Sequence, residues 1–165
     1  MELISKDNKR LTFPLMCWDI YSMFLLRSGK NLQKENDLKW LDELRKKHKW
    51  NADLRTLLSN SYEALILTDA RQKIQWVNKG FTKMTGYSAS YTIGKTSVFL
   101  QGANTSMETK KRIREQLLER VSFTETVVNY RRSKEEYLCE VKITPLLNSK
   151  NELTHFLALE NEIVR

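Results

Sequence analysis

The sequence predicts an α+β fold: a five-stranded antiparallel sheet with helices on one face, preceded by an all-helical N-terminal extension. Three observations carry this reading. Leucines recur at helical spacing within the first sixty residues. After Ser61 the pattern shortens to apolar runs of strand length, bounded by turn residues. The chain then closes on three strands joined by short polar turns, which suits antiparallel hairpins better than a parallel sheet.

The extension comes first. Met1–Arg10 is polar, so no apolar core of a secretory leader begins there. Leu11–Leu26 is the most apolar stretch, but it has sixteen residues and contains Asp19, short of the roughly 20 apolar residues of a membrane helix. It reads as a short helix with Thr12 as cap, Pro14 in the first turn and Ser28-Gly29 as the stop. Being apolar on nearly every side, it must be buried against this domain or a partner. It lacks the basic face that docking on a membrane surface wants. Asn31–Lys49 forms a second helix striped by Leu38, Leu41 and Leu44, and Asn51 caps a third with Leu54, Leu57 and Leu58.

The sheet region comes next. Ala64–Thr68 is a short buried strand stopped at Asp69-Ala70-Arg71, and Ile74–Val77 alternates as the second. Asn78 caps a short helix carrying Phe81 and Met84, which Gly86 ends. Ser106–Arg120 is a charged amphipathic helix whose apolar stripe is Met107, Ile113, Leu117 and Leu118. Phe123–Arg131, Glu136–Leu147 and Leu153–Val164 are the closing strands. The chain divides as residues 1–60, the extension, and 61–165, the sheet domain.

Composition bounds the chemistry. The 165 residues suffice for one domain with an extension, and 41% hydrophobic content can fill a core. Cys17 and Cys139 are the only cysteines, which excludes a disulfide scaffold and a thiolate zinc site and points to a reducing, cytoplasmic setting. The net charge of +8 divides as +4 on each side of residue 60, so no basic tail is segregated. No Ser–His–Asp set, phosphate loop or paired carboxylates stand out, so no enzyme is expected. The lone His48 and His155 lack further ligands at fixed spacing, so no metal site is expected either.

The element order resembles the PAS fold. Leu67-Thr68-Asp69, Val77-Asn78-Lys79-Gly80-Phe81, Met84-Thr85-Gly86-Tyr87 and Gly94 fit it. Gly94–Gly102, GKTSVFLQG, is similar to the G-x-N-C-R-F-L-Q-G segment of the flavin-binding light-oxygen-voltage (LOV) branch, and the likeness continues through Asn129-Tyr130-Arg131 and Thr144-Pro145 to the last strand. It covers about residues 61–165. Ser97 stands where the family has its adduct-forming cysteine, with Thr96 for the motif Asn and Val98 for the phosphate-pairing Arg. Gln101, Arg114 and Asn129 match family positions. Cys139 replaces the second ring Asn and Glu160 the final-strand Gln. The resemblance thus gives Ser97, Gln101, Arg114, Asn129, Cys139 and Glu160 as candidate cofactor-binding positions around an unknown ligand.

Residue chemistry leaves alternatives at each. Gln101 orients a ligand or bonds backbone at a helix end. Arg114 holds a phosphate or belongs to a solvated basic face with Lys110, Lys111 and Arg112. Cys139 reads as a small buried hydrophobe, since no base is placed beside it. Glu160 is a pocket acid or an exposed strand end; period two puts it on one face with Phe156 and Ala158. Arg45–Lys49, beside Trp40 and Trp50, could grip nucleic acid, although a basic helix end also suits the helix dipole.

The resemblance implies a non-enzymatic sensory or interaction module in signal transduction, dependent on a ligand or partner, and dimeric or docked to a separate protein through residues 1–60. Because the last strand closes the chain, output is expected to pass through that extension or another protein. The alternative is a flavin-binding LOV-like redox or photochemical sensor without the cysteinyl adduct; a nucleic-acid-binding regulator comes third. A hydroxyl at Ser97 is a poor substitute for a thiol nucleophile. An ionised Glu160 is acceptor-only and Cys139 a weak donor, so the substituted set predicts that flavin mononucleotide is not held tightly.

Overall fold

The computed structural model describes the backbone of residues 13–164 and the side chains of residues 20–164. Thr12, the expected cap, lies outside them. Two compact units divide within the first helix, residues 1–37 and residues 38–165.

α1 runs unbroken from Phe13 to His48, thirty-six residues. The expected stop at Ser28-Gly29 does not occur. A lone glycine costs a helix only about 1 kcal/mol, no proline follows it within the helix, and the flanking Leu, Arg, Lys, Gln and Glu residues are good helix formers. α1 ends where Lys49 takes a positive φ of 55°, after a basic last turn from Arg45 to His48 that suits its C-terminal dipole. In the unit of residues 1–37, Ile20, Tyr21, Met23, Phe24, Leu25 and Leu26 are all more than half exposed.

In the second unit, α2 (Leu54–Ser59) is capped by Asp53, whose carboxylate accepts from the amides of Arg55 and Thr56; Asn51 was the expected cap. Asn51 instead bonds the turn between the last strands, its amide donating to Leu147 O at 3.0 Å. The sheet comprises β1 (Ala64–Asp69), β2 (Ile74–Val77), β3 (Phe123–Tyr130), β4 (Glu136–Leu147) and β5 (Leu153–Glu162). Its order is β2-β1-β5-β4-β3, with every neighbouring pair antiparallel. β5, last in the chain, is the middle strand.

Strand periodicity sorts the side chains to two faces. On one face Ile66, Val127, Tyr137, Cys139, Val141 and Ala158 join Phe81, Met84 and Leu100 in one core. The helices of that side are α3 (Lys79–Thr85), α4 (Ala89–Thr92), a 3₁₀ turn (Ser97–Leu100) and α5 (Met107–Glu119). Asn78 ties α3 to the sheet: its side-chain oxygen accepts from Phe81 N and Leu65 N, both at 3.0 Å. On the opposite face Leu65, Leu67, Leu146, Leu157 and Leu159 pack with Leu41, Trp50, Leu54 and Leu58. The C-terminal end of α1 and α2 thus cover the second face of the sheet. The leucine stripe is consumed there: Leu41 is fully buried, and Leu38 and Leu44 pack against that core. The Trp50 indole donates to Thr154 Oγ1 at 2.9 Å, fixing the end of α1 to β5.

Candidate functional site

A cavity of about 150 Å³ lies between the inner face of β1, β3, β4 and β5, the 3₁₀ turn and α5. Its walls are mostly apolar. Ile113 and Leu117 face it from α5, whereas Met107 and Leu118, expected on the same stripe, are about three-quarters exposed. Arg112 fixes α5 over the sheet: its guanidinium pairs with Glu125 of β3 at 3.1 and 3.2 Å and with Glu108 at 3.1 Å. The Arg112 hydrogen bond holds the Glu125 carboxyl below its usual range.

The 3₁₀ turn is placed by the residues just beyond it. The Thr105 hydroxyl donates to Val128 O of β3 at 2.6 Å and accepts from Gly102 N at 2.9 Å. Gly102 is required here, because a Cβ would lie 2.3 Å from the Tyr130 ring. That ring is held in turn, its hydroxyl accepting from Asn104 N and donating to Glu136. Gly86 answers the other conformational need, closing α3 at a φ of 76°.

Four of the six candidate positions meet in the cavity wall: Ser97, Gln101, Asn129 and Glu160. Two do not. Arg114 is exposed on α5, because Ile113 and Leu117 are the residues of this turn that face inward. Cys139 is fully buried in the core beside Tyr137 and Val141 and lines no part of the cavity. Burial pushes its thiol up, and the Glu160 charge adds to the effect, so no reactive thiolate forms there.

Glu160 is the unusual group. It is 4% exposed, stands opposite Ala64 and Val141 in the sheet, and its Oε2 has no hydrogen-bond partner. Burial alone pushes its carboxyl up to about 7. The carboxyl is therefore part-protonated near neutrality, and a cation placed beside it would favour loss of the proton.

The family's flavin finds a poor match in these residues. Among the described lining residues there is no Arg or Lys to meet a phosphate. Arg114 faces solvent, and Val98, at the other phosphate position, is 63% exposed. The volume falls below the ~300–1,000 Å³ of sites for drug-sized ligands, and a buried acid replaces an amide at the ring edge. The residues present do not fit a flavin nucleotide.

Several organising contacts involve residues outside the candidate set. Arg131 donates to Met84 O, pairs with Glu162 at 2.6 Å and lies 4.6 Å over the Tyr137 ring. Across the sheet, His155 and His48 approach with ring centroids 4.5 Å apart, beside Trp50. Among the described residues no group of three His, Cys, Asp or Glu could hold a metal. The basic run at the end of α1 is partly neutralised, Arg45 and Lys46 both pairing with Asp42. Its flanking tryptophans are engaged, Trp40 stacked on Trp76 at 4.3 Å and Trp50 buried. Among the described residues no helix is long and apolar enough to cross a membrane.

With the cavity placed between a 2-1-5-4-3 sheet and its helices, the comparisons agree on the class. A family model described as a PAS domain matches residues 63–164, and the chain belongs to that family. Over 108 residues it is 33% identical to a nitrogen fixation regulatory protein of Klebsiella oxytoca, covering 66% of this chain and 22% of the relative. It is 31% identical over 109 residues to a blue-light photoreceptor of Listeria innocua, covering 64% of this chain and 43% of that one. The chain thus spans about a fifth to two-fifths of these relatives. Among solved structures it is similar to the dark structure of the Aureochrome1 LOV domain (TM-score 0.65, 23% identity, 70% of this chain and 86% of that one). It is also similar to the LOV domain of a blue-light activated histidine kinase from Erythrobacter litoralis (TM-score 0.60, 26% identity, 64% and 100%).

Proposed function

We propose that the chain is a non-enzymatic PAS sensory module of the cytoplasm whose output depends on a ligand in the cavity, with the partner contact made by the helical extension of residues 1–60, of which residues 38–60 belong to the sheet unit and residues 1–37 form the other unit. The observation that carries this is the cavity with Glu160 buried in its wall and its Oε2 without a hydrogen-bond partner. An unsatisfied buried acid in a mostly apolar chamber is a cost that packing alone does not explain, and a ligand donor is the simplest compensation. The exposed residues Ile20, Tyr21, Met23, Phe24, Leu25 and Leu26 support association with a second copy.

The second reading is a flavin-binding sensor without a cysteinyl adduct. It is favoured by the likeness to blue-light photoreceptors and by Gln101 and Asn129 in the wall. Titration of the purified chain with flavin mononucleotide, followed by fluorescence quenching, separates the two. Weak or absent binding is expected. Submicromolar binding abolished by Asn129→Ala would promote the flavin reading.

A further inference from the structure

We infer that the cavity receives a small planar organic base, a protonated amidine or aminoheterocycle, held by Glu160 as a carboxylate with Asn129 and Gln101 along its polar edge. This rests on the reading of the chain as a ligand-dependent module and names the ligand's chemical class.

Charge is the first ground. Among the described residues lining the cavity, Glu160 is the one ionisable side chain. The residues contributed by β1, β3, β4, α5 and the 3₁₀ turn are all uncharged. The titratable side chains electrostatically coupled to it, Tyr137 and Cys139 of β4, are both held neutral by burial. No cation among those lining residues answers the carboxylate, so an anionic ligand would meet only repulsion and a cationic one would complete the pair.

Hydrogen bonding and size narrow the class. An ionised carboxylate only accepts, and an amidinium presents two parallel N–H donors that match its two oxygens. Asn129, on β3 beside Tyr137, and Gln101, after the 3₁₀ turn, each bring an amide to the cavity. Val127, Val141 and Ala158 offer apolar surface for a ring. A cavity of about 150 Å³ is on the scale of one that takes a benzene-sized molecule. A single ring bearing a charged donor pair fits; a tricycle with a phosphate tail does not.

Benzamidine and its neutral isostere benzamide serve as probes. Each is titrated into the full chain, wild type and Glu160→Gln, at about pH 6 and about pH 8, and followed by the backbone amide shifts of Ser97, Asn129 and Ala158. Benzamidine is expected to bind, about five- to tenfold more tightly at the higher pH, because the carboxyl must lose its proton to receive the cation. Benzamide should bind at least about tenfold more weakly there. Glu160→Gln should erase both the preference and the pH dependence. The wild-type pH dependence tests the inference even where that variant folds poorly. Equal binding of the two probes, benzamidine binding unchanged in Glu160→Gln, or tightening toward low pH would each overturn the base assignment while leaving a ligand-binding cavity. If neither probe nor flavin mononucleotide moves those amides, the base assignment and the ligand-dependent reading fall together.

Discussion

A carboxyl group buried without a partner is kept neutral by its surroundings, and that has a consequence for folding as well as for binding. Glu160 is raised from 4.5 to about 7 in the native state. Between those values the native state binds more protons than the unfolded one, so stability falls as pH rises through the window and levels off above it. At roughly 1.4 kcal/mol per pKa unit, the loss is about 3 kcal/mol. Glu160→Gln should therefore match wild type near pH 5 and exceed it by up to that amount near pH 8. Urea unfolding at the two pH values checks this; an identical difference at both would show that the carboxyl does not titrate across the range. Gly102 makes a second demand at this scale. Gly102→Ala drives a Cβ into the Tyr130 ring, and because that ring is tied to Asn104 and Glu136 it cannot yield freely. A loss of about 1–3 kcal/mol is expected by thermal unfolding.

Among the elements, the docked end of α1 is where packing and protonation meet. Leu41 is fully buried against the outer face of the sheet, so Leu41→Ala should cost about 2–5 kcal/mol in denaturant unfolding. His155, on the same face, is pushed down to about 4 by burial and the nearby His48, against a smaller opposing pull from Asp69. The unfolded chain then takes up the proton first, so stability is full above about 6.5 and is lost as pH falls toward 4. His155→Leu should remove about 2 kcal/mol of that acid loss, allowing for partial solvation; an unchanged acid limb in the variant would refute the assignment. These elements also show how much of the fold was legible in the residues alone. Asn78 and Gly86 bracket α3 as their chemistry predicts, and Glu136–Leu147 is a strand over the expected span. The unbroken α1 was not legible, because a glycine stops a helix only when its downstream neighbours are poor helix formers. The second covered face was not legible either. Leucines at threefold spacing state that a helix is buried but not against what. In the site, likeness carried all six positions and period two put Glu160 on one face with Phe156 and Ala158; Arg114 and Cys139 lie outside the cavity.

At the scale of the whole molecule, the apolar surface on α1 is the feature with a solution consequence. We propose that Phe24 and Leu25, 64% and 51% exposed, belong to a self-association surface. Light scattering of the full chain should give a dimer at high micromolar concentration, and Phe24→Glu with Leu25→Glu should return it to a monomer. A wild-type monomer under those conditions overturns the proposal. The topology has a different kind of consequence. β5 joins β1 on one side to β4 on the other, and its pairing with β1 links residues roughly ninety positions apart, as between Ala64 and Glu160. During synthesis, the β1–β2 and β3–β4 ribbons can each form while the chain is still growing, yet neither can find the other until residues 153–162 emerge. Two nascent ribbons with open edges wait on one late strand, so the rate of acquiring structure is set by a long loop closure and not by any local step.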